Sequence, residues 1–183
     1  MSIDRVLIAL ILGCSFPVQS SPADDKVPSS CPVTRPPDPP FVPLAPLPAK
    51  EAGRFWLGTN ALLTSLAEDG VWRGIVSPRG TRNKFWWWRE GWRVDTDLRA
   101  NDPGLIVTAR RIDGAAPEVR GPRVTNAFEG KNTAMLLMLE IPTSGCWEII
   151  GNYRSEYVSM VVWVPDKPVD DPGYAPNRRP DTD

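Results

Sequence analysis

The side chains able to do chemistry in this chain are scattered carboxylates, three cysteines and a run of tryptophans; histidine is absent from all 183 residues. Without imidazole there is no Ser-His-Asp or Cys-His nucleophile system, and the common zinc and blue-copper ligand sets are excluded. The chain also lacks a Cys-x-x-Cys pair, a phosphate-cradling glycine loop and a dinucleotide fingerprint. What remains for acid–base work is Glu68, Asp69, Glu90, Asp95, Asp97, Glu129 and Glu148. A glycosidase needs two carboxyls at a defined separation across a cleft, and no spacing here singles out such a pair. Asp95, Asp97 and Asp102 offer oxygen to a hard cation, but Arg93 and Arg99 flank them and the EF-hand pattern is missing. A solvated turn is the simpler reading. A carboxylate-dependent hydrolase is therefore the weakest functional reading, and neither metal nor cofactor is expected.

The tryptophans are more informative. Four of the eight lie between Lys84 and Arg93: Trp86, Trp87, Trp88 and Trp92. Side chains alternate across a strand, so Phe85 and Trp87 share one face, and Trp86 and Trp88 the other. Only one face of a sandwich strand looks into the core. One pair is expected inside, and the other exposed or beneath a covering segment. Exposed indoles beside Arg89 and Arg93 suit stacking on sugar rings, a membrane interface, or a protein contact, where Trp and Arg are enriched. Trp86, Trp88, Arg89, Trp92 and Arg93 thus form the candidate ligand surface. The competing reading packs the second pair under the proline-rich lead, leaving a purely structural or accessory domain. From Arg79 to Arg111 eight Lys/Arg stand against four Asp/Glu, while the whole chain is near neutral at −1. That is a mildly basic side, and no nucleic-acid partner is expected.

The elements that must position these residues begin after an export signal. Residues 1–20 carry one basic side chain, the apolar run Val6–Leu12, then small and polar residues. The run is too short to span a bilayer. Cleavage after Ser20 is one reading. The other takes Ile11-Leu-Gly-Cys14 as a lipobox, removes 1–13 and acylates Cys14, anchoring the chain to a membrane. Either way the chain is expected outside the cytoplasm, in the cell envelope or beyond, and Cys14 leaves the count. Cys31 and Cys146 then remain. In an oxidising compartment two cysteines usually pair, with two free thiols as the alternative.

Residues 21–52 hold nine prolines between Pro28 and Pro48, incompatible with helix or central strand. They read as an extended lead or spacer, with ligation of aromatic grooves a second use for Pro-Pro pairs. Residues 53–164 read as an all-β, immunoglobulin-like antiparallel β-sandwich. Strands are expected at 54–57, 61–66, 71–76, 84–89, 105–110, 134–139, 146–152 and 157–164. Residues 61–66 and 134–139 are also compatible with short helix. Glu68-Asp-Gly70 reads as the hairpin between the second and third strands, and Ser77-Pro-Arg-Gly80 as a turn. Trp147, at the start of a strand after Pro142 and Gly145, is expected to face inward with Ile149 and pin a corner between the sheets. Residues 165–183 are proline-rich and acidic, and read as a disordered tail.

Cys31-Pro-Val-Thr34, Phe85-Trp-Trp-Trp-Arg89 and Ile141-Pro-Thr-Ser-Gly-Cys-Trp-Glu148 together resemble a family of small bacterial exported proteins and lipoproteins. Its members share a cysteine-proline start, a proline-rich lead, a Trp-Trp-Arg strand and a late Gly-Cys-Trp-Glu strand. The resemblance covers most of the mature chain. It implies a β-sandwich, an envelope location and a Cys31–Cys146 bridge, and it lends no catalytic residue. The expected function is that of a non-catalytic envelope domain that binds a protein or glycan through its Trp/Arg face.

Overall fold

A computed structural model describes residues 27–45, 47–49, 51–91, 104–129, 132–167 and 169, with side chains outside 126–129, 132 and 133. These residues build ten strands, and no helix occurs among them. In chain order they are β1 (Arg54–Thr59), β2 (Leu62–Ala67), β3 (Ile75–Ser77), β4 (Gly80–Trp88) and β5 (Leu105–Arg111). Then come β6 (Val119–Arg120), β7 (Thr125–Glu129), β8 (Asn132–Ile141), β9 (Gly145–Tyr153) and β10 (Glu156–Val164). The sheets are antiparallel. One runs β1-β2-β4-β8-β7, with β3 pairing the first residues of β4; the other runs β10-β9-β5-β6.

Period-two patterning explains how the sheets meet. On β4, Phe85 and Trp87 are buried in the space between the sheets. Facing them are Leu105, Val107 and Ala109 from β5, Trp147 and Ile149 from β9, and Val158, Met160 and Val162 from β10. Edge-to-face contacts order the aromatic part, with centroids 5.4 Å apart for Trp72–Phe85 and 5.0 Å for Phe85–Trp87. Trp87 lies against Gly151 of β9 so closely that a Cβ there would sit 2.3 Å from its ring. Glycine is what lets the sheets approach at that point. Where β8 hands over to β9 in the other sheet, Trp147 is fully buried and its Nε1 donates to the Thr143 carbonyl at 3.0 Å. The expected corner is pinned as the sequence indicated.

Residues 62–66 and 134–139 are strand as expected, and the helical alternative falls because each segment lies between paired neighbours: β2 between β1 and β4, β8 between β4 and β7. One local expectation is corrected. Glu68-Asp-Gly70 does turn, but no hairpin follows. Instead Gly70, at φ +74°, directs the chain to the free edge of β10. There the Trp163 amide donates to the Gly70 carbonyl and the Trp72 amide donates to the Trp163 carbonyl, at 2.9 and 2.7 Å. The strand expected over 71–76 is thereby split into a parallel bridge at Val71 and the short β3. Strands β6 and β7 were not among those expected.

The described part of the proline-rich lead packs against the sandwich. Cys31 is bonded to Cys146 at an S–S distance of 2.00 Å, with both sulfurs covered by Val27, Val33, Val161 and Trp163. Thr34 then pairs with the edge of β10: its amide donates to the Val161 carbonyl at 2.9 Å, and its Oγ1 accepts from the Val161 amide at 2.8 Å. Arg35 donates to the Glu68 carbonyl at 3.2 Å. Further on, Phe41 and Leu47 reach the outer face of the other sheet. The lead is a strap that starts on one outer face, crosses the β10 edge and ends on the other.

Candidate functional site

The outer face of the β1-β2-β4-β8 sheet carries the only tryptophan cluster outside the inter-sheet core among the described residues. It arises from alternation on three strands. On β1, Trp56 points outward while Phe55 points in; on β2, Leu63 is outward; on β4, Trp86 and Trp88 are outward. Register brings them together, since Leu63 pairs with Trp88 and Trp56 lies on the neighbouring strand. Trp56 and Trp88 meet edge to face at 5.2 Å, and Trp86 stacks on Trp88 with centroids 6.3 Å apart and planes 16° from parallel. Below them the Thr64 hydroxyl donates to the Trp86 carbonyl at 2.7 Å, tying β2 to β4.

Phe41 and Leu47 pack over this cluster, and the Trp56 Nε1 donates to the Pro48 carbonyl at 2.9 Å. Trp56 and Trp88 are consequently 2% and 8% exposed, while Trp86 keeps part of its ring in solvent. The Trp88 Nε1 is buried and has no hydrogen-bond partner. The sequence reading identified Trp86 and Trp88 but missed Trp56, Phe41 and Leu47. Trp56 was legible in principle, because Arg54, Trp56 and Gly58 alternate with the inward Phe55 and Leu57.

Of the candidate residues that are described, Trp86 and Trp88 share the outer face and Arg89 does not. Arg89 follows Trp88 and turns to the other side, with its guanidinium 5.9 Å from the ring of Tyr153 in the opposite sheet. Arg154 approaches the same ring at 5.0 Å. Trp92 and Arg93 lie outside the described residues, as do Asp95, Asp97, Asp102, Cys14, the 1–20 leader and all but a few residues of the 165–183 tail.

The carboxylates are dispersed. Asp69 pairs with Arg73, whose hydrogen bond holds its carboxyl below the usual range. Glu148 accepts from Ser159 at 2.8 Å and from Arg110 at 2.6 Å; these contacts, Ser159 first, hold its carboxyl low as well. Glu140 accepts from Ser77 and pairs with Arg79. Among the described residues no three His, Cys, Asp or Glu side chains gather as a metal-holding group. Each of these carboxylates has its charge engaged by a local arginine or hydroxyl, the arrangement of a solvated sheet surface.

No family model, curated protein or solved structure matches this chain.

Proposed function

We propose that this chain is a non-catalytic domain of the cell envelope, exported by its apolar leader, which holds a partner on the outer tryptophan face of the β1-β2-β4-β8 sheet. The observation that carries this is the placement of Trp56, Trp86 and Trp88 on the face of their sheet turned away from the β10-β9-β5-β6 sheet. A sandwich needs large aromatics between its sheets, and Phe85, Trp87 and Trp147 already serve there. Three further indoles outside that core are the composition of a contact surface. A bridge of Cys31 to Cys146 suits an oxidising compartment. Strand order supports an immunoglobulin-like reading of the sandwich: β2-β4-β8-β7 and β10-β9-β5 run in the order of the ABED and GFC sheets of that fold.

Partly exposed Trp86 is the residue to test. Envelope polysaccharide and envelope protein fractions are immobilised, and retention of the wild type is compared with Trp86→Ala. At least a severalfold loss on one matrix supports the reading; equal retention on both removes this face from the account. The second reading is a purely structural domain whose outer tryptophans exist to seat the lead. The Pro48 hydrogen bond and the burial of Trp88 favour it. Under that reading Trp86→Ala changes stability and no binding.

A further inference from the structure

The outer tryptophan face already has an occupant, and its chemistry shows what else would fit. We propose that this face is a reader of proline-rich peptide segments, occupied in the resting protein by the chain's own lead and open to a proline-rich segment of a partner protein in competition with it. This inference rests on the partner-holding reading above and names the class of partner.

The first observation is the nature of the cis contact. Residues 36–48 read Pro-Pro-Asp-Pro-Pro-Phe-Val-Pro-Leu-Ala-Pro-Leu-Pro, with prolines three apart at 40, 43 and 46. Aromatic-lined grooves take such segments in a recurrent way: flat indole surfaces receive the apolar side chains, and an indole N–H takes a backbone carbonyl. Both parts are present. Phe41 and Leu47 pack on the Trp56/Trp86/Trp88 cluster, and the Trp56 Nε1 donates to the carbonyl of Pro48. Proline supports this mode because its fixed φ lowers the ordering cost of the bound segment.

The second observation is what the lead leaves undone. The Trp88 Nε1 belongs to the cluster on which the lead packs, on a side chain more than nine-tenths buried, and has no acceptor. A buried donor without a partner weakens the packing that hides it. The cis segment therefore satisfies one of the two buried indole donors on this face. A peptide that supplied a carbonyl to each would bind the same surface better than the lead does. Val42 and Leu44, between the two anchors, are 56% and 50% exposed. The lead thus touches the face at separated points and leaves apolar side chains in water. The far end of the strap is fixed independently by the Cys31–Cys146 bond and by Thr34 on β10. Displacement of residues 41–48 need not detach the rest.

The test uses the full-length chain and a fluorescent peptide of residues 36–49 supplied in trans, followed by anisotropy. A lead tethered nearby competes at an effective concentration in the millimolar range, so wild type is expected to bind the peptide weakly. Phe41→Ser with Leu47→Ser frees the face and should tighten binding at least tenfold. Adding Trp56→Phe, which keeps a ring and removes the indole N–H, should reverse that gain about fivefold. A control peptide with its prolines changed to alanine should bind at least tenfold more weakly. The proposal is overturned if the Phe41/Leu47 variant, with a wild-type near-ultraviolet spectrum, binds the proline and alanine peptides equally. If that variant does not fold, peptide is titrated into wild type and the indole N–H resonance of Trp88 is followed. A saturating shift supports the proposal and an unmoved resonance overturns it. A disulfide-retaining wild-type dimer in sedimentation, dissociated by the peptide, would assign the occupant to a second copy's lead and overturn the partner-protein form. If the peptide fails while Trp86→Ala still abolishes retention on polysaccharide, the partner-holding reading stands and the proline-rich class falls.

Discussion

Removing the Cys31–Cys146 bond should cost the fold several kcal/mol, and the magnitude follows from where the cysteines sit. They are 115 residues apart in sequence. Closing a loop of that length removes entropy from the unfolded chain worth about 4.8 kcal/mol in the chain-entropy account, and native bridges in small exported domains deliver about 2–5 kcal/mol when deleted. For a domain of this size that corresponds to a fall in Tm of roughly 7–17 °C. The native-state contribution is small by comparison, because Val27, Val33, Val161 and Trp163 still cover the site in a Cys31→Ala, Cys146→Ala variant. The measurement is urea unfolding followed by tryptophan fluorescence, on oxidised wild type, reduced wild type and the double-alanine variant. The two bridge-free samples should agree with each other and differ from the first. A difference under about 1 kcal/mol would refute the loop-entropy reasoning, meaning that the lead and β9 stay close in the unfolded ensemble. Two reactive thiols in denatured, unreduced protein would remove the bridge itself.

Gly151→Ala should destabilise by about 1–3 kcal/mol or more through overpacking, since the new Cβ would stand 2.3 Å from the fully buried Trp87 ring; a melting temperature equal to wild type would show that the two sheets can separate there without penalty. Trp147→Phe keeps an aromatic at the corner but removes the hydrogen bond to the Thr143 carbonyl and part of a fully buried ring, and should cost about 2–3 kcal/mol in chemical unfolding; Trp147→Phe matching wild type would mean that neither contributes. Stability should also fall in acid. Glu148, held low by Ser159 and then Arg110, and Asp69, held low chiefly by Arg73, release protons more readily folded than unfolded. Their stabilisation is complete above the unfolded carboxylate range near pH 4 and is lost as pH falls through the lower folded values. Glu148→Gln should therefore flatten the acid limb of the urea midpoint plotted against pH, and an unchanged limb would count against these contacts.

How far the chain could be read in advance depended on whether a residue's fate was local. That Phe85 and Trp87 share one face and Trp86 and Trp88 the other was legible because the pleat alone decides it; which pair turns inward is set by the opposing sheet. The Trp147 corner was legible from its proline and glycine neighbours. Strand β7, Thr-Asn-Ala-Phe-Glu, has little apolar content of its own and is strand because β8 offers it an edge. That pairing is a property of the partner. Glu68-Asp-Gly70 specifies a reversal but not its destination, which is set by the open carbonyl and amide of Trp163 and by Val33, whose side chain lies 2.6 Å from where a Gly70 Cβ would be. The docking of the lead was hidden for a related reason. Its anchors Cys31, Thr34, Phe41 and Leu47 follow no period, since each meets a different part of the sandwich. Arg89 left the tryptophan surface because the alternation that turns Trp88 outward turns the next side chain toward Tyr153 in the opposite sheet.

The strap across β10 has a meaning beyond attachment. Strand β10 runs Glu-Tyr-Val-Ser-Met-Val-Val-Trp-Val, long, β-branched and at the margin of its sheet. Such a margin is a template on which a strand of another molecule can grow, the usual route to aggregation in all-β proteins. Here the amides and carbonyls of Val161 and Trp163 are taken by Thr34, Gly70 and Trp72, and a covalent bond one strand away keeps Thr34 in place. The lead, with Gly70 and Trp72, acts as a selvedge along residues 161–163 of that edge: it finishes the fabric there so that no further thread can be added.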